Sequence, residues 1–111
     1  MYQLISEQSI YQYFGDDDPD MIRDMIQIIL ETNVHDLKEL GDFYEKKEFE
    51  IIKKRCHKAK PSMSYIGAIK TRKLLEEIEA GIPNSLPLNA KLQNHLLTIE
   101  DELKKFVKTL D

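Results

Sequence analysis

Apolar residues recur along most of this chain at alternating steps of three and four, a spacing only helices use. The clearest run is Leu92, Leu96, Ile99, Leu103, Phe106 and Leu110, the narrow seam of a bundle helix. Ile22, Ile26, Ile29, Asn33, Leu37, Leu40 and Tyr44 form another stripe, and Phe49, Ile52, Cys56, Ala59 and Met63 a third. Ile66, Ile69, Leu74, Leu75 and Ile78 supply a fourth apolar set. No stretch alternates with the period of two that a strand requires. The expected fold is therefore all-α, an antiparallel up-and-down four-helix bundle with a short extra N-terminal helix.

Punctuation residues place the boundaries. Ser6 is a cap for the short helix, with Ile5 and Ile10 on its buried side, and Gly15 ends it after Phe14. Asp18 as N-cap, Pro19 at the first helical position and Asp20 in the first turn open the second helix. Gly41 lies inside its pattern and marks an early end or a bend; Lys46-Lys47 is the following turn. Pro61 removes a helical donor and crowds the preceding turn, so the third helix should kink or stop near Lys60. Gly67 permits a tight junction to the fourth helix, through Glu79. Residues 80–89, with Pro83 and Pro87, read as a loop, and Asn89 as the cap of the last helix.

A chain of 111 residues, 41% hydrophobic and 32% charged, suits one compact domain over residues 1–111 rather than a disordered segment. No apolar run reaches the roughly 20 residues that cross a bilayer, and the N-terminus lacks the pattern of a signal peptide. One cysteine forms no internal disulfide, so the cytoplasm is the expected compartment and a monomer the expected state. A starting Met and a full set of helices point to a free-standing protein.

The first half of the second helix is apolar on two sides, because Met21, Met25, Ile28 and Thr32 make an additional stripe. A bundle helix needs only one such stripe. The surplus either packs under the N-terminal helix or stays open for a partner, a use to which methionine adapts readily.

Charge is distributed unevenly. The net charge is −4, which argues against general nucleic-acid binding. Yet residues 51–73 hold no Asp or Glu and contain Lys53, Lys54, Arg55, Lys58, Lys60, Lys70, Arg72 and Lys73. Acid gathers elsewhere, at Asp16-Asp17-Asp18, Asp20, Glu76, Glu77 and Glu79. A positive field around His57 would steer an acidic partner or a phosphoryl group toward it.

Cys56 to Ala68 carries the chemistry: Cys-His-Lys-Ala-Lys-Pro-Ser-Met-Ser-Tyr-Ile-Gly-Ala. On a helix His57, Lys60 and Ser64 share one stripe, one residue off the core seam. An imidazole beside an ammonium, with small neighbours, suits phosphoryl transfer, since free imidazole has a pKa of about 6.5 and is nucleophilic near neutrality.

This segment resembles the histidine phosphotransfer domain of multistep two-component relays. His57, Lys60, Ser62, Gly67 and Ala68 stand at the family's motif positions, and the expected helices match in number and order along essentially the whole chain. The chain departs from the pattern at Pro61, where glycine is usual, and at Met63, where a small residue is usual. The resemblance implies that His57 accepts a phosphoryl group from a receiver-domain aspartyl phosphate and passes it to a second receiver. Lys60 would neutralise the phosphoryl oxygens, with Lys53, Lys54, Pro61, Ser64 and Gly67 around the docking site. Met21, Met25 and Ile28 would add to the docking surface. It implies response-regulator receivers, and a hybrid histidine kinase, as partners. The receiver would bring the acidic pocket and Mg²⁺, so no cofactor is expected in this chain.

Other chemistries find less support. His35, His57 and His95 are scattered, and no Glu-x-x-His pair exists, so no metal site is expected. No Gly-rich phosphate loop is present, so the chain is expected to be a phosphocarrier and not an enzyme or kinase. Cys56 falls on the core seam as a small hydrophobe. Two alternatives remain: a helical adaptor that docks a receiver or kinase without transfer, motivated by Pro61, and an RNA- or anion-binding bundle using the basic run. Only Tyr65 interleaves aromatically with those charges, which disfavours RNA.

Overall fold

The computed structural model describes residues 2–110, and among them every regular element is helical. The short helix α1 (Glu7–Phe14) is followed by α2 (Pro19–Ile29), a π-helical turn (Leu30–Val34), α3 (His35–Lys38) and α4 (Leu40–Glu45). Then come α5 (Phe49–Tyr65), α6 (Ile69–Gly81) and α7 (Leu86–Lys108). The segments α2 to α4 form the first arm of an antiparallel four-helix bundle whose other arms are α5, α6 and α7, and α1 packs across one end.

Two helix starts form as the residues require. Ser6 Oγ accepts from the Ser9 amide at 3.3 Å, and Asp18 Oδ1 accepts from the Met21 amide at 3.0 Å. The seams also converge: Ile52, Cys56, Ala59 and Met63 of α5 are fully buried in the same core as Leu92, Leu96, Ile99, Leu103 and Phe106 of α7. Each such Leu, Ile or Phe contributes roughly 1.5–3 kcal/mol by leaving water.

Where local pattern met a competing packing demand, the structure differs from expectation. The first arm does not keep α-helical phase. Its buried residues run Ile22, Ile26, Ile29, Val34, Leu37, Leu40 and Tyr44, so one step is five residues. That step is the π-turn, which adds a residue to one turn of the helix and rotates Val34 rather than Asn33 into the core. The bend lies at Glu39, whose φ of −89° and ψ of −1° separate α3 from α4, and Gly41 remains helical two residues later.

Pro61 neither ends nor stops α5, which continues to Tyr65. Proline withholds the ladder bond to the carbonyl four residues back, that of His57, and its ring crowds that carbonyl, yet the helix runs on through it. The last helix begins at Leu86, four residues earlier than expected, with Pro87 in its first turn where no amide donor is needed. Asn89 is therefore not a cap. It lies buried inside α7 and accepts from Gln93 Nε2 at 3.0 Å. Ile69, expected inside, is half exposed, and buried Thr71 takes the inward place on α6.

Candidate functional site

Three side chains meet on the seam between α5 and α6. His57 projects from the middle of α5 with its side chain 80% exposed, and its Nδ1 lies 3.8 Å from Glu79 Oε1 of α6. Lys60, one turn on, donates from Nζ to the other carboxylate oxygen, Glu79 Oε2, at 2.7 Å. Lys60 and Glu79 are both largely covered, at 17% and 19% exposure. Antiparallel packing brings Glu79 to this point, because the α5–α6 junction folds residues 57 and 79 to the same level. The acid expected elsewhere thus lies beside the histidine, and the local field is weaker than the acid-free run suggested.

The basic run divides into two groups. Arg55 is structural: its guanidinium donates to the Asp36 carbonyl at 2.8 Å and to Glu39 at 2.9 Å, and stacks 4.5 Å over the Phe43 ring. The bond from Arg55 holds the Glu39 carboxyl below its usual pKa. Arg72 donates to Ser64 Oγ and pairs with Glu76 at 3.5 Å. Lys53, Lys54, Lys58 and Pro61 are exposed on the outer face of α5 around His57.

Ser64 and Gly67 do not stand open beside the imidazole. Ser64 is half-buried under Arg72. Gly67 closes α5: with φ at +76° it is the left-handed residue of a Schellman motif. Its amide bonds the Ser64 carbonyl at 3.1 Å, and the Ala68 amide bonds the Met63 carbonyl at 2.8 Å. The close approach that Gly67 permits is made by this chain itself. A Cβ there would lie 2.5 Å from Ser6 Cβ, at the start of α1. Ser62 is buried, and its hydroxyl donates to Asn33 Oδ1 of the π-turn at 2.6 Å, tying α5 to the first arm.

The second stripe of α2 is only partly covered. Met25 is half-buried, whereas Met21 is 39% and Ile28 51% exposed. These residues form a separate apolar strip, and none of them bonds to His57 among the described residues. Tyr13 adds an exposed ring at the end of α1, 4.7 Å from the Tyr65 ring.

Cys56, adjacent to His57 in sequence, is fully buried, and burial pushes its thiol up to about 12. Among the described residues no group of His, Cys, Asp or Glu is arranged to hold a metal ion, and no helix is long and apolar enough to cross a membrane.

Sequence reasoning missed Glu79, whose signal was present. In two antiparallel helices joined at residues 67–68, partners have numbers summing to about 136, and 57 pairs with 79. It also missed Glu102, a buried carboxylate of α7 that accepts the backbone amides of Gln3, Leu4 and Ile5, the last two at 2.9 and 3.1 Å. Comparison of the chain with protein-family models, with curated proteins and with solved structures gave no match.

Proposed function

We propose that this chain is a phosphocarrier in which His57 takes a phosphoryl group from a receiver-domain aspartyl phosphate and passes it to another receiver. The observation that carries this reading is the exposure of the imidazole, at 80%, on a helix anchored on both flanks. Glu79 lies on the Nδ1 side of the ring and favours a proton there. Nε2 is then the nitrogen with a free lone pair. It attacks phosphorus, the bond from phosphorus to the aspartyl oxygen breaks, and the carboxylate leaves with the electron pair. Such transfers depend on positioning and charge neutralisation, and Lys60 is the cation within reach of the ring's own turn. Exposed Lys53, Lys54 and Lys58 supply surface for an acidic partner, and the separate strip of Met21 and Ile28 offers an apolar one.

Mixing the purified chain with a phosphorylated receiver should give an acid-labile, base-stable phosphate on the chain. A His57→Gln variant that labels as well as the unaltered chain refutes the assignment.

A specific observation favours a second reading, an adaptor that docks receivers without transfer. Lys60 is already bonded to Glu79, and a carboxylate beside the ring repels an incoming phosphoryl group. Glu79→Gln distinguishes the two. It speeds labelling if Lys60 is the required cation, and leaves receiver binding unlabelled if the domain only docks.

A further inference from the structure

On the face of α6 turned away from Glu79, a shallow groove of about 230 Å³ runs between α6 and α7. It is lined by Lys70, Lys73, Leu74, Glu77, Lys91 and His95. Lys60 and Lys105 each hold a carboxylate, but among the described residues no ion pair forms at Lys70, Lys73 or Lys91. Three ammonium groups thus face one shallow space with a single carboxylate, Glu77, among them.

The charge order along α6 sharpens the point. Its first turns carry Lys70, Arg72 and Lys73, and its last turns Glu76, Glu77 and Glu79. Both ends oppose the helix dipole, which favours anions at the N-terminus and cations at the C-terminus. The Ala68 N-cap offers no side-chain bond either. Arg72–Glu76 and Lys60–Glu79 pairs offset part of this cost, but none forms at Lys70 or Lys73 among the described residues, and charges placed against the dipole without such a partner suit a site that binds something.

His95 completes the groove. Its Nδ1 lies 2.9 Å from the hydroxyl of buried Thr71, which fixes the ring and leaves Nε2 unengaged. Burial, then the nearby Lys91 and Lys70, hold its pKa below the usual histidine value. An anion seated between those lysines would reverse the last two effects, and the ring would take up a proton.

We propose that this groove binds a small polyanion bearing two or more phosphate groups, held by Lys70, Lys73 and Lys91 and joined by His95 as an imidazolium. The size suits a pyrophosphate-like group rather than a polymer, and no Phe, Tyr or Trp lines the groove as a platform on which a base could stack. This inference does not depend on the role of His57.

The test follows the histidine ring resonances of the full chain, with His35 and His57 as internal controls. Inorganic pyrophosphate is one probe, and vesicles carrying a bisphosphorylated inositol lipid are the other, each at low salt and at 0.15 M. A rise of the His95 apparent pKa with pyrophosphate supports a soluble ligand. Attachment to the vesicles with no response to pyrophosphate supports the same phosphate chemistry presented as a lipid headgroup. Replacing Lys70 or Lys91 by alanine should weaken binding about two- to fivefold each, the range for an exposed charge pair. Both side chains are exposed, so circular dichroism should show the fold unchanged. No response of His95 to either probe at millimolar phosphate overturns the proposal. So does an equal response of all three histidines, or unaltered binding by Lys91→Ala.

Discussion

Replacing Gly67 by alanine puts the packing at the end of α5 to a direct test. At φ +76° an L-residue costs on the order of 1–2 kcal/mol that glycine does not. The new methyl would also sit 2.5 Å from Ser6 Cβ, 2.9 Å from Ser9 Oγ and 3.0 Å from the Ser6 backbone nitrogen. The Ser9 hydroxyl can rotate away, but the Ser6 backbone cannot move without lengthening its 2.8 Å bond to the Ile66 carbonyl. Overpacking of this kind costs roughly 1–3 kcal/mol, and a lost hydrogen bond about 1 kcal/mol. The total, about 3–6 kcal/mol, is a large share of the roughly 5–15 kcal/mol that holds a small domain folded. Urea denaturation followed by circular dichroism reads it as a fall in midpoint. Adding Ser6→Gly removes the nearest clash at a cost of only a few tenths of a kcal/mol in capping, so the double variant should recover part of the loss. A Gly67→Ala protein within about 1 kcal/mol of the parent would refute this account, and would return Gly67 to the role of leaving room for a visiting surface.

Pro61→Ala restores a donor for the His57 carbonyl at an exposed helical position, and should raise stability by about 1–3 kcal/mol in the same assay; a loss would show that the ring itself is needed. Glu102→Gln leaves three backbone amides with a neutral partner in place of a carboxylate and should cost about 2 kcal/mol, read as a lower melting temperature. His95 is held neutral in the fold, with its pKa below the unfolded value of about 6.5, so the unfolded chain binds the proton first. Stability is therefore complete above about pH 6.5 and declines as pH falls toward the folded pKa. His95→Gln should flatten the slope of denaturation midpoint against pH in that window, and an unchanged slope would assign it to other groups.

The seams were legible because burial on a helix leaves a period in the chain. Leu92 to Phe106 needed no knowledge of what they touch. The π-turn was harder to see, because Asn33 fits the α-helical step as well as Val34 fits a step of five. In the fold the five-residue step buries Val34 and leaves Asn33 to accept from Ser62 across the bundle, contacts that no local pattern displays. Pro61 and Pro87 read as breaks because proline's missing donor is a local fact, whereas the tolerance for it is set by position in the helix and by packing. At the candidate site, His57 and Lys60 were visible through their spacing. Glu79 was not, since a charge pattern read along the chain cannot show which residues a helical hairpin brings level. Ser64 and Gly67 were noticed for being small, but what their smallness admits is Arg72 and Ser6 of the same chain.

Chain ends are ordinarily the first part of a domain to fray. Here Glu102 grips the amides of Gln3, Leu4 and Ile5 from α7, and the next amide, Ser6, is held by Ile66 at the end of α5. Four consecutive peptide groups thus lash together two helices that are not neighbours in sequence. The opening residues behave as a crosstie, and their amide protons should exchange with solvent only when the whole bundle comes apart.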